Sequence, residues 1–169
     1  MLKVVGIYHA SICDLTIDEY VPLSFRTQLP ANIEPLYWRT GDIQRNIFEL
    51  SVNRNGGEVY GSTLVSSVEQ ITSENQNFYA DPSVSLGLPI VDISAIDSRT
   101  IAIDHISPFR IIKTNDSINV LFNESNNSKS CMKCGRVSFL IEDEFLVGVR
   151  FGPLTKDELE TFSIWEKYR

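Results

Sequence analysis

The chain has 169 residues, of which 43% are hydrophobic and 22% charged, a balance typical of one globular domain spanning residues 1–169. Its formal net charge is −7 and it has no run of lysine or arginine, which argues against nucleic-acid binding because phosphate contacts need basic side chains. No stretch approaches 18 apolar residues and no secretion signal is recognised, so we expect a cytoplasmic protein without membrane contact.

Strand-like alternation begins at the N-terminus and is then interrupted. Residues 2–8, LKVVGIY, predict a buried strand. Residues 11–45 have no regular pattern and carry three prolines and several aromatic residues. We expect this segment to be a long irregular connection, which is uncommon unless the segment packs or binds something.

Residues 46–65 predict the clearest β-hairpin of the chain. Apolar and polar residues alternate through FELSVN, and Asn55-Gly56-Gly57 then supplies positions for the positive φ of a tight turn. Val59, Thr63 and Val65 are expected to share one face of the return strand. Gly61 within that strand predicts a bulge or a close backbone approach.

A second hairpin is predicted over residues 137–151. VSFLI and FLVGVRF alternate on either side of an acidic turn. Val137, Phe139 and Ile141 are expected on one face of the first strand. On the second strand, one face is expected to hold every other residue from Phe145 to Phe151.

The C-terminus predicts a helix. Thr155 and Glu158 fit a capping box, and Leu154 precedes the cap as a hydrophobic staple requires. Phe162 and Trp165 lie on one stripe of that helix. Together the elements predict an α+β, mainly β protein, with antiparallel sheets in a sandwich or half-barrel and a short C-terminal helix.

The cysteines allow a metal hypothesis. Three cysteines make an odd number, which argues against a disulfide framework. The Cys131–Cys134 pair is a C-x-x-C motif, but structural zinc needs four ligands. His9 and Cys13 would complete the set, so a zinc-binding interaction module stays as the alternative function. The main interpretation is two reduced thiols in a surface turn, with no metal and no cofactor.

No catalytic set is recognised. The sequence has no Walker A pattern and no dinucleotide-binding fingerprint. Asp104 and His105 are adjacent, but neighbours on a strand point to opposite faces, so they cannot form a dyad. We therefore expect a protein that is not an enzyme.

Acidic and aromatic residues are the candidates for partner contact. Glu142, Asp143 and Glu144 fill the second hairpin turn and could dock a cationic partner. A second group lies in the irregular N-terminal segment and combines carboxylates with aromatic residues of the interface-anchor type: Asp14, Asp18, Glu19, Tyr37 and Trp38.

The two hairpins carry a family resemblance. FELSVNRNGGEVYGSTLV and VSFLIEDEFLVGVRFGPLTKDELETF resemble small bacterial immunity proteins, the antidotes of contact-dependent growth inhibition toxins and other polymorphic toxins. The match covers roughly residues 46–66 and 136–166. Such relatives often have Thr-Gly at the turn where this chain has Gly56-Gly57.

The resemblance implies a non-catalytic function. The protein would form a heterodimer with the toxin domain of its own system in the cytoplasm and block the toxin's active site. Many such toxins are nucleases with basic substrate channels, which an acidic antidote can occupy. Because immunity proteins diverge where they touch their toxins, the resemblance assigns no contact residue.

Overall fold

The computed structural model describes residues 1–10, 12–28, 33–68, 71–73, 83–123 and 128–169. Fifteen strands and one helix are found in these residues. The strands are β1 Val4–Tyr8, β2 Cys13–Thr16, β3 Leu23–Thr27, β4 Pro35–Gly41, β5 Ile47–Asn53, β6 Val59–Ser66, β7 Ile71–Ser73, β8 Ser83–Leu86, β9 Leu88–Val91, β10 Ala102–Ile106, β11 Arg110–Lys113, β12 Ile118–Leu121, β13 Ser130–Cys134, β14 Val137–Glu142 and β15 Phe145–Phe151, and the helix is α1 Lys156–Tyr168.

The strands form two large sheets and one small one. The six-stranded sheet has the order β10-β4-β5-β6-β3-β2, and the seven-stranded sheet has the order β7-β11-β12-β15-β14-β13-β8. Neighbours are antiparallel except β10 with β4, β7 with β11, and β8 with β13. Strands β1 and β9 make a two-stranded antiparallel sheet. The mainly β prediction is confirmed.

The two large sheets pack face to face through aromatic side chains. Phe25 on β3 contacts Phe139 on β14, with ring centroids 5.8 Å apart. Phe48 on β5 contacts Phe151 on β15 at 6.4 Å. All four side chains are fully buried and belong to one hydrophobic cluster. The architecture is therefore a sandwich, the first of the two predicted arrangements.

The prediction of an irregular segment over residues 11–45 is wrong, because these residues include strands β2, β3 and β4. Pro22 lies just before β3 and Pro35 is the first residue of β4. Proline is tolerated at a strand start, where its missing N–H is not needed in the ladder. Short strands joined by polar turns hid the alternation in the sequence.

The predicted hairpin over residues 46–65 is confirmed as β5 and β6, but its return strand is shifted in phase. The register slips between Ser51 and Val52, which makes a bulge just before Gly61. Beyond it Leu64 is buried, while Thr63 and Val65 are not. The predicted common face of Val59, Thr63 and Val65 is therefore wrong. A bulge adds one residue and so exchanges the two faces of a strand.

Gly57 closes this hairpin with φ of 81°. Its N–H donates to the Asn53 carbonyl at 2.7 Å, and its own carbonyl accepts from the Val91 N–H at 2.8 Å. A Cβ at this position would lie 2.3 Å from the Val91 carbonyl oxygen. Only glycine fits here, because the conformation is left-handed and β9 approaches closely.

The second predicted hairpin is β14 and β15. Val149 and Phe151 face the main cluster, but Val147 packs in a second, smaller cluster and Phe145 is 37% exposed. The predicted single face of β15 is therefore only half right. The register shift between Leu140 and Ile141 explains the difference, because it changes which residues point inward.

The C-terminal helix forms as predicted. The Thr155 hydroxyl accepts from the Glu158 N–H at 3.2 Å, and the Glu158 carboxylate accepts from the Thr155 N–H at 2.8 Å. Glu158 also makes an ion pair with Arg136 at 2.8 Å, which holds the N-terminus of the helix next to the start of β14. Phe162 and Trp165 are buried in the main cluster. No helix of the described residues is both long and apolar enough to cross a membrane.

Candidate protein-binding surface

Most contacts of the acidic turn Glu142–Glu144 are intramolecular and stabilise the fold. Asp143 and Glu144 have φ of 47° and 69°, as the two central residues of a tight hairpin turn require. Glu144 makes an ion pair with Lys3 at 3.3 Å, and its carbonyl accepts from the Val4 N–H. The Glu142 carboxylate accepts from the Asn123 amide at 3.5 Å. The turn therefore anchors the N-terminus to β15.

The N-terminal acids have three different environments. Asp14 is exposed on edge strand β2. Asp18 accepts hydrogen bonds at 2.7 Å from the N–H groups of Tyr20 and Val21, so it stabilises the turn before β3. Glu19 borders a cavity of about 350 Å³ beside the end of α1, together with Tyr168 and four other residues.

Asp14 and the acidic turn lie near opposite ends of strand β14. Asp14 follows Cys13, which is bonded to Cys134, and Cys134 pairs with Val137 at the start of β14. Glu142 is the last residue of that strand. Five residues of strand separate the two ends by about 17 Å. These acidic groups do not form one continuous patch.

Tyr37 and Trp38 face opposite sides of β4. Trp38 is 3% exposed and packs inside the sandwich, with its ring centroid 5.2 Å from Phe122 and 5.6 Å from His105. Trp38 is therefore a core residue, and the prediction of a partner contact there is wrong. Tyr37 is half-buried on the solvent side of the sheet, where a partner could reach it.

The C-x-x-C motif is part of a strand rather than a surface turn. Cys134 is bonded to Cys13, and Cys131 is a buried free thiol in the second cluster, where burial raises its pKa. Residues three apart on a strand point to opposite faces, which separates the two cysteines of the motif. The interpretation as two reduced thiols is wrong for Cys134. His9 is exposed after β1.

No metal-ligand group forms around these cysteines in the described structure. Within residues 1–10, 12–28, 33–68, 71–73, 83–123 and 128–169, no three His, Cys, Asp or Glu side chains are placed to hold a metal ion. The disulfide also uses two of the three thiols, those of Cys13 and Cys134, that the zinc site would need as thiolates.

Asp42 has a strongly lowered pKa, and its hydrogen bonds give it a structural role. Its carboxylate accepts from the backbone N–H groups of Gln44, Arg45 and Asn46 and from the Asn46 side-chain amide, all at 2.7–2.9 Å. These hydrogen bonds hold the pKa of Asp42 far below its usual range. The carboxylate closes the loop between β4 and β5.

The solvent side of the six-stranded sheet carries a set of polar and aromatic side chains that sequence reasoning only partly identified. All are on strands and alternate with core residues. We call this set the outer face: Asp14, Arg26, Tyr37, Arg39, Glu49, Ser51, Tyr60 and Asp104.

One row of the outer face alternates in charge. By register, Arg39 on β4 lies between Asp104 on β10 and Glu49 on β5. Arg39 uses Nε and Nη2 to bind the Asp104 carboxylate, both at 2.7 Å. Thr63 on β6 lies on the other side of Glu49. The guanidinium is therefore engaged with Asp104, and Glu49 is left beside it.

The neighbouring row has its smallest residues at the centre. Ser51 pairs with both Tyr37 and Gly61, and Gly61 also pairs with Arg26. Tyr60 is the extra residue of the bulge beside Ser51, and burial raises the pKa of its phenol. Ser51 and Gly61, the smallest residues of this row, therefore lie between larger ones, and we call this position the recess.

Glu49 lies half-buried beside this recess. It makes no hydrogen bond or ion pair with any described residue, and burial raises the pKa of its carboxyl group. The charges of Arg39 and Arg26 act in the opposite direction but are the weaker influence. The alternation of residues 48–52 does predict that Glu49 is on the solvent side. The predicted hairpin places Glu49 beside β6, but Arg39 and Asp104 come from β4 and β10, which the sequence does not pair with it, so the complete cluster could not be predicted.

Glu49→Gln should make the free protein slightly more stable at pH 8, because the uncharged amide avoids the cost of burying the carboxylate. A raised folded-state pKa means that wild type loses stability as the pH rises from the unfolded value of 4.5 through the folded value. The gain should therefore vanish well below pH 4.5. Denaturant midpoints of both proteins across this range measure it, and a gain that persists in acid would contradict the assignment.

Comparison with known proteins adds no family to these observations. No protein-family model matches the sequence, and no curated protein matches it.

Proposed function

We propose that this protein is an immunity protein, which binds a cognate toxin domain and neutralises it by blocking its active site. The observation that carries the proposal is the outer face. It presents two tyrosines and two arginines on a rigid sheet, and these residue types anchor protein interfaces more often than others. Six strands spaced about 4.8 Å apart make a face about 24 Å across.

Charge favours a basic partner. The net charge of −7 would steer a cationic protein toward this one and suppress wrong partners. A nuclease with a basic substrate channel has the complementary charge. The exposed carboxylate of Asp143 and the neighbouring acids of its turn would add to this attraction from outside the outer face.

The resemblance to immunity proteins supports the same function. Its first matching stretch is the β5–β6 hairpin, which contributes Glu49, Ser51 and Tyr60 to the outer face. Its second is the β14–β15 hairpin with the start of α1, which belongs to the opposite sheet. The zinc alternative is not carried further, because nothing in the described structure favours it.

The location of the protein is part of the proposal. Disulfides are rare in the cytoplasm, because glutathione keeps most thiols there reduced. An antidote acting in the cytoplasm would therefore need a Cys13–Cys134 disulfide that resists reduction. Trapping the thiols in rapidly acidified cells that contain the protein would report whether the pair is bonded there.

Co-expression tests the function. The protein should restore growth to cells that express the toxin domain encoded beside its gene, and the two should co-purify. The association rate should fall about tenfold or more between low and physiological salt, because steering is screened. A control is the unrelated toxin domain of another system, which should not be neutralised. Absence of both rescue and co-purification would refute the proposal.

A combined variant tests whether the acidic turn contributes to binding of the toxin domain. Glu142→Gln, Asp143→Asn and Glu144→Gln combined should slow association severalfold without changing dissociation, as expected of charges at the rim of an interface. Unchanged association would exclude the turn from docking and leave the outer face as the contact.

A further inference from the structure

Charge on the outer face is unbalanced by one carboxylate. The face holds three carboxylates and two guanidiniums, and each guanidinium has a carboxylate neighbour other than Glu49. Arg39 binds Asp104 directly, and Arg26 lies opposite Asp14 in the β2–β3 register. Neither Asp14 nor Glu49 makes a hydrogen bond or ion pair with a described residue, but Asp14 is exposed whereas Glu49 is half-buried.

This arrangement is unfavourable in the free protein. A half-buried ionised carboxylate normally finds a hydrogen-bond donor, because burial without one costs free energy. A cross-strand pair between Glu49 and Arg39 would be the simplest arrangement of this sheet. The bond from Arg39 to Asp104 takes up that guanidinium instead, and Arg26 acts on Glu49 through its charge without a bond, so Glu49 has no hydrogen-bond donor among the described residues.

The surroundings favour a particular kind of cation. By register Tyr37 lies beside Ser51, and Tyr60 immediately precedes Gly61, so the two tyrosines border the recess next to Glu49. Aromatic faces attract lysine and arginine side chains, and a carboxylate accepts their hydrogen bonds. A metal ion would need further ligands, and no group of three acids, histidines or cysteines is placed for it in the described residues.

We propose that Glu49 binds a lysine or arginine side chain of the partner protein, which enters the recess between Tyr37 and Tyr60. This inference rests on the proposed function for the identity of the partner as a basic toxin domain. The ion pair would be covered by the interface and would give the Glu49 carboxylate the hydrogen-bond donor that it lacks in the free protein. Glu49 would then hold the complex together rather than speed its formation, because covered charge pairs act on dissociation.

A small-molecule probe tests the site without the partner. Nα-acetyl-arginine amide is titrated at low salt into wild type, with amide NMR signals as the readout. Nα-acetyl-citrulline amide, a neutral molecule of nearly the same shape, is the control. Shifts caused by the arginine compound alone should centre on Tyr37, Glu49 and Tyr60 and disappear in Glu49→Gln. Equal shifts from both compounds, or shifts retained in the variant, would overturn the proposal.

A kinetic measurement tests the same site in the complex. Glu49→Gln should raise the dissociation rate from the neighbouring toxin domain at least about tenfold, with little change in association. Glu160→Gln, an exposed position on α1 with the same loss of charge, should dissociate like wild type. If wild type and Glu49→Gln dissociate equally, the inference fails while the function stands. If wild type does not bind the toxin domain, the function fails, and the arginine titration alone decides the site.

Discussion

Cys134→Ser should lower the free energy of unfolding of the oxidised protein by about 2–5 kcal/mol. Its disulfide with Cys13 spans a sequence separation of 121 residues, and closing so long a loop strongly restricts the unfolded chain. The bond also joins edge strand β2 of the six-stranded sheet to β13 of the seven-stranded sheet. Guanidinium denaturation followed by tryptophan fluorescence measures the loss.

Two controls separate the bond from the side chain. Reductant should destabilise wild type by a similar amount and leave Cys134→Ser unchanged. Cys131→Ala keeps the disulfide and removes the buried free thiol, so it should stay sensitive to reductant. Equal stability of oxidised wild type and Cys134→Ser would show that the bond does not stabilise the fold.

Trp38→Ala should destabilise the protein by about 3–5 kcal/mol, the range for removing a large aromatic side chain from a core. Trp38 is 3% exposed and contacts Phe122 and His105 between the sheets. Urea denaturation of purified variants measures the change.

Tyr37→Ala is the matched comparison, because the two residues are adjacent on β4 and face opposite sides. It loses contacts on the solvent side only, so we expect a cost of about 1 kcal/mol or less. Under the proposed function it should instead weaken toxin binding. Equal destabilisation by the two substitutions would contradict the division of β4 into a core side and an outer face.

Local elements were predictable where one pattern decided them. The capping box of Thr155 and Glu158 depends on residues three apart, and the structure has both hydrogen bonds. The turn at Gly57 depends on a conformation that glycine alone adopts easily. Asp104 and His105 face opposite ways, as alternation requires: Asp104 binds Arg39 and His105 stacks on Trp38.

Strand phase was less predictable, because bulges leave little trace in sequence. Gly61 indicated a bulge or a close approach, but not on which side the following residues would lie. The slip between Ser51 and Val52 reversed that side for Thr63 and Val65. The same effect placed Val147 in the second cluster. One extra residue is enough to exchange the faces, and its position depends on packing against the partner strand.

By itself, the sequence determined the two hairpins, the C-terminal helix and the mainly β class, because each depends on neighbours close along the chain. Only the tertiary structure decided which strands pair, and distant pairing produced the features that matter most for function. It joined Cys13 to Cys134 and buried Trp38. It also placed Arg39 between Asp104 and Glu49, where it engages Asp104, because sheet order is set by burial of the whole core rather than by any local pattern.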